Sequence, residues 1–186
     1  VIDIEVEDDA WTLILPEVEA VVRRAAEATL SSPPLRGRGR ERGEASSATL
    51  ANVAQTPPTL DPSPSRGEGS LTILLTDDDV VRRLNAEFRG KDAATNVLSF
   101  PAPETARPHI GDIVLAYGVC AREAEAQGKP LSQHLMHLTA HGVLHLFGYD
   151  HLSDEDAEVM EDLEREILGG LGVPDPYAPS TDDDGL

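Results

Sequence analysis

Residues 1–7 alternate, with Ile2, Ile4 and Val6 on one side and Asp3, Glu5 and Glu7 on the other. That is the two-residue period of a half-buried strand. Pro16 sits where the first turn of a helix tolerates proline, and EVEAVVRRAAEATL predicts a helix to about Leu30. The period is then lost. From Ser31 to Ser70 the chain is rich in Pro, Gly, Ser and Arg and sustains neither a helical nor a strand pattern. Such a segment buries too little apolar surface to offset its ordering entropy, so 31–70 is expected to be a disordered low-complexity insertion. Patterning returns with a strand, LTILLT at 71–76, and a helix over VVRRLNAEFRG, capped by Asp77 or Asp78 and stopped by Gly90. NVLSFP at 96–101 and GDIVLAY at 111–117 read as strands, and GVCAREAEAQG at 118–128 as a helix. A longer helix is expected from about Leu131 to Phe147, closed by Gly148. A last one, opened by Ser153 with Asp156 completing a weak capping box, runs to about Leu168. Residues 174–186, with Asp182, Asp183 and Asp184, read as a flexible acidic tail.

Four strands and about five helices, with two strands reached only after helices, predict a single α+β domain. Its mixed four-stranded sheet is covered by the helices and drawn from residues 1–30 and 71–173. With 40% hydrophobic residues but only three Phe, three Tyr and one Trp, aliphatic side chains must build the core.

Charge changes the picture of partners. Fifteen basic against 34 acidic residues give a net charge of −19. This excludes a uniformly basic nucleic-acid-binding surface and leaves room only for a local basic site. The single cysteine, Cys120, allows neither an internal disulfide nor a Cys-built zinc site and points to a reducing compartment. The acidic start VIDIEVEDDAW is unlike a secretory signal. The longest uncharged stretch, Leu131–Tyr149, carries Ser132, Gln133 and four histidines, unlike a membrane span. A soluble, cytoplasmic protein without membrane contact is expected.

The candidate chemistry lies in the histidines. All six follow residue 108 and five lie between 134 and 151. On a helix, His134, His137, His141 and His145 fall within about 80° of one another as one stripe. A stripe by itself is ordinary polar surface. HGVLHLFGYDH at 141–151, however, has the spacing H-x-x-x-H-x-x-G-x-x-H. Two imidazoles one turn apart face a common centre, and a glycine three residues on lets the chain turn so that a third approaches from outside the helix. His141, His145 and His151 are therefore the expected metal ligands, three nitrogens with a fourth position open, at the end of the long helix and the following turn. Zinc suits this set, one ion per chain, while nickel, iron and copper also fit the ligand type. Three consecutive turns of a straight helix cannot converge on one ion, which assigns His137 a supporting or substrate-facing role. His134, about 10 Å along the axis from His141, is expected to face solvent. Metzincin metalloproteases share the spacing but place their general-base glutamate after the first histidine, where this chain has Gly142, so a peptidase is not expected. Asp150 reads either as a backbone-bonding turn residue or as an acid–base helper.

With those residues in view, the sequence resembles the YbeY family of metal-dependent endoribonucleases. LNAEFRGKDAATNVLSFP at 84–101, GDIVL at 111–115 and HGVLHLFGYDH at 141–151, followed by Met160 and Glu164, carry the likeness. It implies an α+β fold with a zinc-like site and cleavage of single-stranded RNA. It also implies a role with the small ribosomal subunit and its assembly factors, in rRNA maturation and ribosome quality control. The family's metal-binding histidines fall on His141, His145 and His151 and its functional arginine on Arg89, which makes Arg89 and His141 the expected catalytic residues. Where the family usually has Asp in Thr-Asp-Val-Leu-Ser-Phe, this chain has Asn96. Arg82, Arg83 and Lys91 stand near Arg89 and either extend a basic rim or are plain surface charge. The competing function is a non-catalytic ribosome-assembly binding protein with a structural metal.

Overall fold

The N-terminal strand β1 (Ile2–Val6) pairs in parallel with β2 (Ser70–Thr76), in register from Ile2 opposite Leu71 to Val6 opposite Leu75. β2 continues in parallel to β4 (His109–Ala116), and β3 (Val97–Pro101) closes the other edge antiparallel to β4, giving the order β1-β2-β4-β3. This computed structural model describes residues 1–32 and 69–178; the bulk of the expected insertion, 33–68, and the end of the expected tail, 179–186, lie outside the described residues.

Six α-helices accompany the sheet among the described residues. They are α1 (Ala10–Ile14), α2 (Val18–Ser31), α3 (Asp78–Arg89), α4 (Tyr117–Ala126), α5 (Leu131–Leu146) and α6 (Asp154–Gly170). The sequence pattern missed α1, whose five residues are too few to show a helical period. Trp11 anchors it, fully buried, with its indole N–H donating to the Thr76 carbonyl at 3.1 Å and its ring edge-on to Tyr117. Pro16 stands just before α2, whose N-cap is Glu17. Ser31 ends α2 and Ser70 opens β2, so both ends of the expected insertion belong to regular elements.

Alternation within the central strand explains the layers. Ile113 and Leu115 of β4 join Leu71, Ile73 and Leu75 of β2 in a core covered by α2 and α5. Val114 and Ala116 point the other way, into a cluster with Leu98 of β3 and Val81 of α3. Both faces are thus covered, and fully burying each of these Leu, Ile and Val side chains is worth roughly 1.5–3 kcal/mol. Outside α5, Met160, Leu163 and Ile167 of α6 pack on Ala140 and Leu144. α5 is thereby fixed between the sheet and α6.

Helix ends are capped as the sequence leads one to expect. Asp77 accepts from the Val80 N–H at 2.8 Å and caps α3, which ends at Gly90 with φ 68°. Ser153 accepts from the Asp156 N–H at 3.1 Å and donates its hydroxyl to the Asp156 carboxylate at 2.7 Å at the start of α6.

Candidate metal centre

The centre is built on the last two turns of α5 and the turn that follows. α5 stops in a Schellman arrangement: the Gly148 N–H donates to the His145 carbonyl at 3.0 Å and the Tyr149 N–H to the Leu144 carbonyl at 3.2 Å. Gly148 holds φ 82°, the left-handed conformation that glycine adopts without penalty. The reversal brings His151 back to the helix, where its backbone N–H is held by the Asp150 carboxylate at 2.7 Å. Asp150 is thus engaged with the backbone of the turn.

His141, His145 and His151 each offer a ring nitrogen, and these three atoms lie within 4.8 Å of one another. The His141 and His145 Nε2 atoms are 3.0 Å apart. The His151 ring stacks on His141 and stands edge-on to His145, with centroids 5.6 Å and 5.2 Å away. Two nitrogens bound at about 2.0–2.1 Å to one tetrahedral ion sit about 3.4 Å apart, so this set is positioned to bind a metal ion.

Burial lowers the His145 pKa from its ordinary value, with His141 and His151 beside it adding to the effect, which favours the unprotonated form a ligand needs. Glu164 of α6 supports the set from behind. It is completely buried, accepts from His141 Nδ1 at 2.7 Å and from His137 Nε2 at 3.0 Å, and receives the Tyr177 hydroxyl. Burial alone would raise its pKa; the hydrogen bonds from His137, His141 and Tyr177 outweigh that and hold it at about 2. An ionised carboxylate only accepts, so His141 must carry its proton on Nδ1. Its Nε2 lone pair is left aimed at the other two histidines, as in carboxylate–histidine–metal pairs.

Gly142, which stands where the peptidases carry their glutamate, is closely packed. A Cβ there would lie 3.1 Å from Ile113 Cδ1 and 3.2 Å from Ser99 Oγ, so this face of α5 rests on the sheet. The Ser99 hydroxyl donates to the Gly142 carbonyl at 3.2 Å across the same contact. A side chain at this position would need Ile113 and Ser99 to give way.

His134 corrects an expectation. It is buried, not solvent-facing, with Nε2 2.9 Å from Glu123 of α4 and Nδ1 without a partner among the described residues. α4 packs along the start of α5 and covers that end of the stripe. Asn96 donates its amide to the same Glu123 oxygen at 2.9 Å. His137 faces Glu164 and Tyr177, in a supporting position.

Arg89 sits in the exposed last turn of α3 and makes no ion pair among the described residues. Beside it Phe88 is largely exposed and edge-on to Phe100. Arg82 is paired with Asp92 by two hydrogen bonds of 2.6 Å and 3.0 Å, whereas Arg83 and Lys91 are exposed.

Glu164 and Tyr177 were missed as functional residues by sequence reasoning. A signal for Glu164 was present: it falls on the stripe of Met160, Leu163, Ile167 and Leu168, and a carboxylate on an apolar face is seldom buried without partners. Tyr177 belongs to the segment read as a flexible tail, yet its ring stands edge-on to His137, 5.5 Å between centroids, and lies under the Arg165 guanidinium.

Comparison with known proteins places the chain in one family. The family model for Endoribonuclease YbeY matches residues 44–172. The Endoribonuclease YbeY of Rhodopseudomonas palustris (strain ATCC BAA-98 / CGA009) is 57% identical over 118 residues, which cover 60% of this chain and 62% of that protein. That of strain BisB5 is 54% identical over 123 residues, 60% of this chain and 63% of that one. The chain thus spans less than two thirds of those two relatives. The Endoribonuclease YbeY of Maricaulis maris (strain MCS10) is 45% identical over 176 residues, 95% of this chain and 91% of that one. The solution structure of TM1509 from Thermotoga maritima aligns over the whole of both chains at a TM-score of 0.47 and 19% identity. On the family match and the Maricaulis relative, the chain belongs to the YbeY endoribonuclease family.

Proposed function

We propose that this protein is a metal-dependent endoribonuclease that cleaves single-stranded RNA, acting on small-subunit rRNA during maturation and ribosome quality control. The observation that carries the reading is the convergence of His141, His145 and His151 nitrogens within 4.8 Å, with His141 oriented by a buried carboxylate. Membership of the family supports the reaction class.

The donor set fits zinc, and His141, His145 and His151 would hold it. A divalent metal bound there supplies Lewis acidity toward a phosphoryl oxygen and makes water more acidic. The chain's own residues do the rest. Glu164 fixes the His141 tautomer, Gly148 and Asp150 hold the turn that presents His151, and Arg89 offers a permanent charge to a phosphodiester anion and its transition state. Arg89 and His141 are the residues to which the catalytic role is assigned. The folded body that carries the function is residues 1–31 and 70–173, extended by Tyr177, with the segment between them a tolerated insertion. No helix among the described residues is long and apolar enough to cross a membrane. A cytoplasmic setting beside the small ribosomal subunit and its assembly factors belongs to the same proposal.

The test is turnover of a labelled single-stranded RNA by the purified full chain. Cleavage should disappear with chelator, return with Zn2+, and be absent from His141→Ala purified identically. Equal cleavage by His141→Ala would assign the activity to a contaminant. Metal binding without cleavage would favour a ribosome-assembly protein with a structural metal.

A further inference from the structure

Next to the metal centre lies a half-open cavity of about 290 Å³. Its lining includes Asn96, Glu123, Gln127, His137 and Tyr177, and it shares His141 with the metal ligands. Val97 and Leu138 supply apolar wall. This volume has room for one planar heterocycle.

We propose that this cavity is a subsite for an unpaired nucleobase next to the scissile phosphate, selecting cytosine over uracil. The proposal rests on the endoribonuclease reading and adds base selection to it. Bases of single-stranded RNA are bound by stacking on aromatic side chains and by hydrogen bonds to their exposed edges. Tyr177 and His137 supply aromatic surface, standing edge-on to each other. Glu123 supplies the polar edge. Its Oε2 is occupied by Asn96 Nδ2 and His134 Nε2, both at 2.9 Å, which fixes the carboxylate plane. Its Oε1 has no hydrogen-bond partner among the described residues, and the side chain is one-third exposed. Gln127, exposed at the end of α4, adds an amide that donates and accepts.

A fixed carboxylate oxygen accepts from the amino group of cytosine and opposes the carbonyl oxygen that uracil carries at the same place. Asn96 has a defined part in this. An aspartate there would set a second carboxylate against Glu123, whereas the amide donates to it and keeps the acceptor aimed.

The experiment titrates CMP and UMP against the zinc-loaded full chain, following the Tyr177 ring and the Gln127 side-chain amide by NMR. Both signals should move, and CMP should bind about tenfold tighter than UMP, the worth of a hydrogen bond to a charged group. Glu123→Gln should bring the ratio close to one. Because that variant also disturbs His134, Gln127→Ala at an exposed position is the second arm and should weaken CMP by about threefold. RNA oligonucleotides with a single C or U beside the cleaved bond should show the same preference in kcat/KM, which separates a substrate subsite from one for free nucleotides. A preference for free CMP with none in the oligonucleotides overturns the RNA subsite. Equal binding of CMP and UMP by the native chain, or a ratio untouched in Glu123→Gln and a CMP affinity untouched in Gln127→Ala, overturns the cavity's assignment. If RNA is not cleaved but CMP is selected, hydrolysis fails and the base site stands.

Discussion

His141 and Glu164 stand on different helices, 23 positions apart, and are joined by a 2.7 Å hydrogen bond from the imidazole Nδ1 to a fully buried carboxylate. This contact decides which nitrogen of His141 faces the other two histidines, and it ties the metal centre to the packing of α6 on α5. Replacing Glu164 with Gln keeps the size but loses the charge that fixes the tautomer. Metal affinity should fall about 10–100-fold, as when the partner of a metal-bound histidine is removed. Competition with a chromophoric chelator measures it, and an unchanged affinity would make Glu164 a packing residue only.

The eleven residues of HGVLHLFGYDH contain everything needed to bring three imidazoles together: one helical turn, one left-handed glycine and one returning residue. All of it is local in sequence, so it was legible there. What surrounds the three ligands is not local. Glu164 reaches His141 because Met160, Leu163 and Ile167 seat α6 on α5, and Glu123 reaches His134 because α4 lies along the start of α5. Helical periodicity says which residues share a face and is silent on what covers that face, which is why His134 was misread as solvent-facing. The sheet was legible because each strand is long enough to alternate, whereas α1 was not.

Buried and bonded to Glu123, His134 contributes to stability without touching the metal ligands. His134→Ala should therefore cost about 1–3 kcal/mol, since it leaves the Glu123 carboxylate short of a partner, and should leave metal stoichiometry unchanged. Urea unfolding with metal analysis of the same preparation checks both. Loss of metal with stability intact would reverse the assignment.

Stability of the metal-free protein should depend on pH in a definite sense. Burial lowers the pKa of both His134 and His145 from 6.5, although Glu123 partly counters this at His134. Below about pH 6.5 the unfolded chain then binds more protons at these groups than the folded one, so their contribution is complete above that pH and is lost as pH falls through the folded values. Glu164, lowered from 4.5 to about 2, adds a second window in which stability is lost as pH falls from 4.5 to about 2. Denaturant titrations of apo protein at pH 8, 6 and 4 should show progressively lower midpoints. A flat profile between pH 8 and 6 would contradict the first window.

Arg89 is exposed and outside the ion-pair network of the described residues, so its removal should not disturb the fold. Arg89→Ala should keep its metal and lose RNA cleavage by on the order of 100-fold, comparable to deleting one donor to a developing anion. Arg89→Lys should recover part of this, because an ammonium supplies the charge without the bidentate fork. Full activity in Arg89→Ala would return the residue to plain surface charge.

The measurement closest to the central claim is a titration of the metal-free full chain with Zn2+, read by calorimetry and confirmed by elemental analysis, on the native protein and on His141→Ala, His145→Ala and His151→Ala. One zinc ion per native chain, with binding strongly weakened in each of the three variants and intact in His134→Ala, is the result expected from nitrogens converging within 4.8 Å. Undiminished zinc binding by His151→Ala, with loss in a His137→Ala control, would show that the third ligand lies on the helix and would contradict the account.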